Sequence, residues 1–331
     1  MPLLNPPDIL PEAMRFLVRA LVSSPGRQLS REELLALVAP TGLVEAMDSL
    51  GGDAEELSGD ESDLKIGGRK IAEASLTALR TLELVEPSGD PVVLSSELGA
   101  WKSYKSVTPG AFAHVMLNAF IKRASKTTPE EGDPVGDLRE VLGSLYAASD
   151  PLWPFVTFEP GSDLTRRSFG QELDDRLGDD RSLWPIPNVE QYRTFERLAP
   201  YLGLARMVGR GGLIADASVA LQNQLPSDMA GEYGVADFVA ICARAVPLLD
   251  GGSMQKRYDD EGDRPISGGH AVLSPVLSLT LLQFEVEGRV TLKRLSDVGL
   301  RSIRVSASGE GDRAVSHVTW LPRSRGKGGK A

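Results

Sequence analysis

Residues 70–94 read KIAEASLTALRTLELVEPSGDPVVL, and the N-terminal part of the chain is organised around this segment. In its first half, residues 70–82, apolar side chains recur at spacings of three and four, which predicts a helix. In its second half, two short apolar runs at 84–86 and 91–94 flank the sequence PSGD, which is typical of a turn between two strands. The stretch therefore predicts a helix followed by a β-hairpin.

Two further helices are predicted upstream of this stretch. The run 11–23 carries apolar residues at the spacing of one helix face. Ser30, followed three residues later by Glu33, forms the capping-box pattern that starts a second helix. The run 48–63 is rich in Gly, Asp, Glu and Ser and predicts a solvated loop. Three helices closed by a hairpin are typical of a winged helix.

The sequence word at 75–79, SLTAL, recurs as SLTLL at 278–282. Each copy lies in a predicted helix that leads into a strand, the second at 289–292. A hairpin is then predicted from 303–305 through a turn at 309–312 to 315–320. A weaker copy consists of a helix over 189–202 followed by strands at 205–208 and 213–215. We expect each copy to be a helix followed by a hairpin and not one continuous helix.

These patterns predict an α+β fold that is mostly helical, with winged-helix-like modules at the N- and C-terminal ends joined by a helical middle region. The predicted segments are an N-terminal winged-helix-like domain at 1–100, a helical middle region at 101–185 with helices at 109–124, 136–148 and 169–177, a helix-plus-hairpin module and helix at 186–268, a C-terminal winged-helix-like module at 269–322, and a disordered basic tail at 323–331.

Composition indicates a folded protein, since 41% of the 331 residues are hydrophobic and 25% are charged. No stretch approaches eighteen consecutive apolar residues, and the N-terminus lacks the basic flank and apolar run of a signal peptide. We therefore expect a cytoplasmic protein with no membrane partner. Cys242, the single cysteine, lies in the apolar run 238–243 and is interpreted as a core residue.

The formal net charge of −10 argues against a protein that simply coats nucleic acid, because neutralising phosphates requires clustered Lys and Arg. The charge is unevenly distributed along the chain. Residues 101–129 contain no Asp or Glu, but they contain five basic residues, Lys102, Lys105, Lys122, Arg123 and Lys126. Such asymmetry permits local anion-binding surfaces on an acidic protein.

DNA contact is the functional interpretation of the third helix and wing of each end module. The predicted DNA-binding residues are Lys65, Arg69, Lys70, Arg80, Lys102, Lys105, Lys293 and Arg294. Further basic residues of the second wing are Arg289, Arg301 and Arg304. The alternative is protein docking, because the helix over 274–287 carries Glu285 and Glu287 without any Lys or Arg and would be repelled by phosphate. DNA binding is therefore expected to be weak, salt-dependent and centred on the N-terminal module.

Residues 101–105, WKSYK, interleave aromatic and basic side chains. This pattern is found in platforms that stack the bases of single strands. The commoner explanation of such a pattern is that the aromatic side chains anchor the core while the lysines are solvated.

Catalytic signatures are absent from the sequence: it contains no Walker loop and no HExxH, CxxC, GxSxG or intact GxGxxG motif. The glycine-rich run 209–212 is interpreted as a turn, and the acidic cluster within 172–180 as a charged helix face. The run 247–252, PLLDGG, is interpreted as a helix C-terminus. His114, His270 and His317 are far apart and are expected to be structural. We therefore expect no enzymatic activity, no cofactor, no metal and no small-molecule substrate.

Five sequence words together suggest a family. They are MPLLN at 1–5, LAPYLG at 198–203, PLLDGG at 247–252, LSPVLSL at 273–279 and VSHV at 315–318. With these words the chain resembles the DpdG family, accessory proteins of bacterial gene clusters that place 7-deazapurines in DNA and restrict unmodified DNA. The resemblance implies a phage-defence assembly with DNA and sister proteins of the same cluster as partners. It carries over no catalytic residues.

Three functions are compatible with these observations. The first is a non-catalytic DNA-associating or scaffolding subunit of a restriction assembly, and the second is a stand-alone winged-helix transcriptional regulator. Length, acidity and the number of modules favour the first, since a simple regulator is usually shorter and has a basic recognition helix. The third is an enzyme with an unfamiliar site, because the absence of known motifs does not exclude chemistry.

Overall fold

The structure is a computed structural model, and it describes residues 2–5, 8–38, 61–126, 133–147, 174, 186, 188–208, 212–226, 228–255, 266–267, 270–297, 299–305 and 311–321. It divides into two compact units, Met1–Leu138 with Asn188–Tyr201, and Arg139–Pro187 with Leu202–Ala331. The fold is α+β, with helices and small antiparallel sheets, as predicted. The five finer segments predicted from the sequence stay a prediction.

The first unit is mainly helical. In chain order its elements are α1 (Pro11–Ser23), β1 (Gln28–Leu29), α2 (Arg31–Val38), α3 (Glu61–Thr81), β2 (Val92–Val93), α4 (Pro109–Lys126), the start of α5 (Gly136–Ala147), and α6 (Val189–Tyr201). Short 3₁₀ turns lie at Pro25–Arg27, Ser96–Leu98 and Tyr104–Ser106.

The first two predicted helices are confirmed. Helix α1 has the predicted bounds, and the apolar stripe that includes Met14 and Leu17 is buried. At the start of α2 the capping box forms as the sequence indicates. The Glu33 N–H donates to the Ser30 hydroxyl at 3.2 Å, and the Ser30 N–H donates to the Glu33 carboxylate at 3.1 Å. These bonds satisfy N–H groups that the first turn of a helix cannot pair internally.

Helix α3 begins nine residues earlier than residue 70, so the prediction of a solvated loop over 48–63 is wrong for residues 61–63. Residues 39–60 lie outside the described part of the chain. The pair Gly67 and Gly68 carries a helix-propensity cost of about 1 kcal/mol per glycine, but the helix continues through it.

A small sheet closes the first module, and it contains the predicted hairpin. Strand β2 pairs antiparallel with β1, and Val85 forms a bridge with Leu94. The Glu86 N–H donates to the Val93 carbonyl at 2.9 Å. Strand β2 therefore lies between β1, which precedes α2, and the bridge strand at Val85, which follows α3. The sequence did not predict β1, because two residues are too few to show an alternating pattern.

The second unit begins with the rest of α5 and contains the remaining strands. Its elements are β3 (Ala205–Val208), β4 (Gly212–Ala215), α7 (Ser218–Gln224), β5 (Gly231–Gly234), α8 (Val235–Ala245), β6 (Ile266–Ser267), β7 (His270–Ala271), α9 (Pro275–Val286), β8 (Val290–Lys293), β9 (Arg301–Ile303), β10 (Arg313–Val315) and β11 (His317–Trp320). None of the described helices has the length and apolar character needed to cross a membrane.

The main sheet of the second unit has the order β5–β11–β8, with both pairs antiparallel. Both copies of the repeated sequence word lie in a helix that leads into an antiparallel strand pair, as expected. The predicted pairing of 303–305 with 315–320 is wrong in detail, since β9 pairs with β10 and β11 pairs with β5 and β8. Strand β11 cannot pair with 303–305 because β5 and β8 occupy its two edges. The sequence pattern did not reveal β5, which has glycine at both ends. The weaker copy is confirmed as α6 followed by the β3–β4 hairpin.

Aromatic packing fills the core beneath this sheet. The ring of Trp320 lies 5.4 Å from that of Phe284 and 6.0 Å from that of Phe238, between centroids. The guanidinium of Arg289 lies over the Trp320 ring at 5.0 Å, and Arg289 is only 8% exposed. The expectation that Arg289 decorates the wing surface is therefore wrong. Its planar cation is stacked on the aromatic core instead.

The N-terminal sequence word forms an anchor in the first unit. Leu3 and Leu4 are buried, and their backbone N–H groups donate to the two carboxylate oxygens of Asp137 at 3.2 and 2.5 Å. The Leu138 N–H donates to the same carboxylate at 2.8 Å. Burial raises the pKa of Asp137 to about 6, although the three N–H groups act in the opposite direction.

Replacing Asp137 with Asn should remove a pH-dependent loss of stability. Since the folded-state pKa lies above the ordinary value of 3.8, protonation stabilises the fold, and this contribution is lost as the pH rises through about 6. Between about pH 4 and pH 7, the free energy of unfolding of D137N relative to wild type should rise by up to about 3 kcal/mol. Urea unfolding across this range measures the difference. A difference in unfolding free energy between the two proteins that does not change with pH would contradict the ionisation of Asp137 in this range.

Candidate nucleic-acid interface

The exposed side of α3 carries two of the predicted DNA-binding residues. Ala72, Leu76 and Leu79 of the same helix are buried in the core of the first unit, and Lys70 lies on the side opposite to them. Arg69 and Lys70 are exposed. The side chain of Lys65 lies outside the described part of the chain.

Arg69 belongs to an ion-pair cluster of two arginines and two glutamates. It contacts Glu32 on α2 at 2.9 Å and Glu73 on α3 at 3.3 Å, and Arg31 contacts Glu73 at 2.9 Å. Hydrogen bonding to Glu73 and the charge of Glu32 raise the pKa of Arg69. The charges in the cluster cancel. Because ion pairs between exposed side chains are weak, they restrain Arg69 only slightly.

Arg80 is a structural link between α3 and the hairpin turn. One of its guanidinium nitrogens donates to the Gly89 carbonyl at 3.3 Å. The neighbouring Asp90 accepts a hydrogen bond from the Arg31 N–H at 2.9 Å at the start of α2. Lys70 is thus left as an exposed cation of α3 that forms no ion pair with any described residue.

The segment 101–105 is divided between core and surface. Trp101 is 9% exposed, and its ring lies 6.4 Å from that of Phe112, so it anchors the core. Tyr104 is 43% exposed, and the Arg19 guanidinium covers it at 5.2 Å from the ring centroid. The core-anchor interpretation therefore holds for Trp101 and not for the exposed Tyr104, for which base stacking stays a prediction.

Only part of the basic charge of residues 101–129 is uncompensated. Lys122 forms an ion pair with Glu97 and Arg123 with Glu83, both acids from outside the segment. Lys102 and Lys105 are exposed and form no ion pair with a described residue. The side chain of Lys126 lies outside the described residues.

The predicted cations of the second wing are compensated by nearby acids. Lys293 contacts Glu232 at 2.7 Å, and Arg294 contacts Asp297 at 2.7 Å. Hydrogen bonding to Lys293 lowers the pKa of Glu232. These cations would need to leave their partners to meet phosphate, so this wing is a poorer anion-binding surface than its sequence indicates.

The acidic charge on α9 is also partly compensated. Arg313 on β10 holds Glu285 in a bidentate contact, with nitrogen–oxygen distances of 2.7 and 3.0 Å. The same guanidinium donates to the Leu292 carbonyl at 2.6 Å. This geometry ties β10 to α9 and leaves α9 with less surface charge than its sequence suggests.

Three elements of the second unit that hydrogen bonds join, α9, α7 and β3, each carry exposed apolar side chains, and we call these residues together the α9-end surface. It comprises Met207 and Val208 on β3, Val219 on α7 and Val286 on α9, with exposures of 42, 41, 51 and 89%. Hydrogen bonds from Arg206 to Gln283 and from Gln222 to Glu287 hold the three elements together. Sequence analysis missed this surface, because its residues come from three separate segments.

The remaining motif residues have structural roles. The buried carboxylate of Asp250 accepts hydrogen bonds from the Ser274 N–H at 2.9 Å and hydroxyl at 2.5 Å, and Ser274 caps α9. A Cβ on Gly252 would lie 2.1 Å from the Pro247 carbonyl oxygen, so that position requires glycine. Cys242 is buried as predicted, and burial raises the pKa of its thiol.

Histidines and acids do not assemble into a metal centre within the described residues. His114 contacts Asn118 at 3.1 Å, and His317 contacts Ser316 at 2.9 Å. The side chain of His270, and the acidic cluster within 172–180 apart from Asp174, lie outside the described part of the chain.

Comparison with known proteins identifies the family. A family model described as DpdG-like matches residues 1–298 of the chain. The chain belongs to the DpdG-like family. This membership connects it with the Dpd system of 7-deazaguanine DNA modification and with partner proteins of that gene cluster. No curated protein and no solved structure matches the chain.

The two aromatic residues of 101–105 in this DpdG-like chain should differ in their effect on stability. Trp101→Ala removes a buried ring and should lower the free energy of unfolding by about 3 kcal/mol or more. Tyr104→Ala removes an exposed ring and one cation–π contact, so it should cost less than about 1 kcal/mol. Urea unfolding of both variants measures this. Equal losses would contradict the division between core and surface.

Proposed function

We propose that this chain is a non-catalytic, DNA-associating scaffold of a Dpd restriction and phage-defence assembly in the cytoplasm. In this proposal both units contain a winged helix. The winged helix of the first unit contacts DNA, and that of the second unit docks another protein of the same cluster.

The observation that carries the proposal is the common order of elements in the two units. The first has α1, β1, α2, α3, the Val85 bridge strand and β2. The second has α7, β5, α8, α9, β8 and β11, with β6 and β7 inserted between α8 and α9 and with β9 and β10 inserted between β8 and β11. In each, the last strand pairs with the first strand and with the middle one. A winged helix has this order and pairing, and its third helix and wing form the contact surface, so the order supports the proposal.

Charge supports DNA contact by the first module. Its third helix presents Lys70 without an acidic partner among the described residues, and the ion pairs of Arg69 are exposed and weak. A phosphate could replace Glu32 or Glu73 as the partner of Arg69 at little cost. Such a surface touches few phosphates, so weak and salt-dependent binding is expected.

Apolar exposure supports protein docking by the second module. The four exposed apolar residues of the α9-end surface lie on elements that are joined by hydrogen bonds between polar side chains. Exposed apolar clusters with a polar rim are typical of protein–protein contact sites. DNA would gain little from this surface, since Glu285 already occupies Arg313.

A non-catalytic role is supported by what the acidic side chains do. Asp137, Asp216 and Asp250 each accept hydrogen bonds from backbone N–H groups and thereby hold local structure. The sequence contains none of the catalytic motifs named above. The purified protein should therefore neither hydrolyse ATP nor cut DNA.

Duplex binding tests the role of α3. Lys70→Gln should weaken binding and make the slope of log affinity against log salt shallower by about 0.9, the contribution of one phosphate contact. Glu73→Gln should strengthen binding, because it removes a carboxylate that competes with phosphate for Arg31 and Arg69. Fluorescence anisotropy with a labelled duplex across a salt series measures both effects.

Lys122→Gln is the matched control for this experiment, because Lys122 is also exposed but is paired with Glu97. It should leave the slope unchanged. If Lys70→Gln behaves like this control, α3 does not face DNA.

Protein docking is tested by placing a charge in the α9-end surface. Val286→Lys should weaken association with a cluster partner at least about 10-fold, as expected when a central apolar contact is lost. Leu295→Lys, at another exposed apolar position of the second unit, should have little effect. Co-elution of this chain with co-expressed proteins of the same gene cluster provides the measurement. Equal co-elution of wild type and V286K would contradict docking at this surface.

A further inference from the structure

The turn around Tyr104 combines aromatic exposure with uncompensated positive charge. Tyr104 is 43% exposed and Phe16 46% exposed. Arg19 lies one turn after Phe16 on α1, and its guanidinium covers one side of Tyr104. Lys102 and Lys105 flank the tyrosine. We call these five residues the Tyr104 patch.

Acidic side chains are scarce near this patch. Residues 98–129 contain no Asp or Glu, and Glu12, the one acid of α1, is paired with Arg15 at 2.5 Å. Arg19, Lys102 and Lys105 form no ion pair with a described residue. The patch therefore carries three positive charges that are available to an anionic ligand.

The turn is held in a fixed shape. Trp101 and Val107 are buried at its two ends. Between them, the Ser103 hydroxyl accepts the Lys105 N–H at 3.3 Å, and the Ser103 carbonyl accepts the Ser106 hydroxyl at 2.5 Å. Arg15 donates to the Val107 carbonyl at 3.3 Å and ties the turn to α1. The exposed tyrosine ring is therefore preorganised, which lowers the entropy cost of binding a ligand.

We infer that the Tyr104 patch binds single-stranded DNA. An aromatic ring beside several cations can stack an unpaired base while the cations meet the flanking phosphates. A duplex keeps its bases stacked on each other, so the ring would find no base face there. The inference rests on the proposed function and adds that the first unit distinguishes unpaired strands from duplex.

Binding of a labelled 20-nucleotide oligothymidine to the full chain tests this inference. Tyr104→Ala should weaken the affinity about 5- to 100-fold, the usual cost of losing one base–aromatic stack. Tyr104→Phe keeps the ring and should bind within about 2-fold of wild type, because stacking does not need the hydroxyl. The double variant Lys102→Gln, Lys105→Gln should make the salt slope shallower by about 1.4, two contacts at about 0.7 each.

Lys122→Gln serves again as the ion-paired control and should change nothing. The inference is overturned if wild type fails to bind the oligothymidine at low salt, or if both Tyr104→Ala and the double lysine variant bind it like wild type. The double lysine variant keeps every buried residue and so provides a test that does not depend on the tyrosine.

The same preparations separate this inference from the proposed function. If the protein docks its partner through Val286 and binds duplex through Lys70 but does not bind the oligothymidine, only the inference about the Tyr104 patch fails. If single-strand binding depends on Tyr104 while Lys70→Gln and Val286→Lys have no effect, the inference stands and the proposed roles of α3 and α9 fail.

Discussion

The pairing of a closing strand with a strand from far earlier in the chain is the constraint on which both modules depend. In the first unit Val93 pairs with Gln28, and in the second Trp320 pairs with Gly231. Each pairing encloses two helices and the strand that follows the second of them, and the closing strand also pairs with that strand. The third helix is thereby fixed by its own buried face and by the sheet. Whatever that helix exposes is presented in a defined orientation within its unit.

Much of the first module follows from local pattern. The apolar stripe of α1, the Ser30–Glu33 capping box and the turn after Val85 are short-range signals, and the structure confirms each of them. The repeated sequence word also identified the third helix of both modules. The edge strands β1 and β5 were missed because they are short, and β5 has glycine at both ends, so neither shows an alternating pattern. Their strand character comes from partners that lie distant in sequence.

The candidate surfaces could be predicted only in part, because long-range partners decide which charges are available. Arg69 meets Glu32, Lys293 meets Glu232, and Glu285 meets Arg313, each pair separated by 28 residues or more. Counting charges along the chain cannot reveal such compensation. Burial likewise separates Trp101 from Tyr104, which look equivalent in sequence.

In the proposed function, two modules of similar architecture present different surfaces, one that contacts DNA and one that contacts protein. Hydrogen–deuterium exchange of the full chain, measured with DNA and separately with a cluster partner, tests it directly. We expect duplex DNA to slow exchange in residues 69–81, single-stranded DNA to slow it in 101–106, and both to leave 279–287 unchanged. The partner should slow exchange in 279–287 and around residues 207, 208 and 219, and should leave 69–81 and 101–106 unchanged. Protection of 279–287 by DNA, or of the same segments by both ligands, would contradict it.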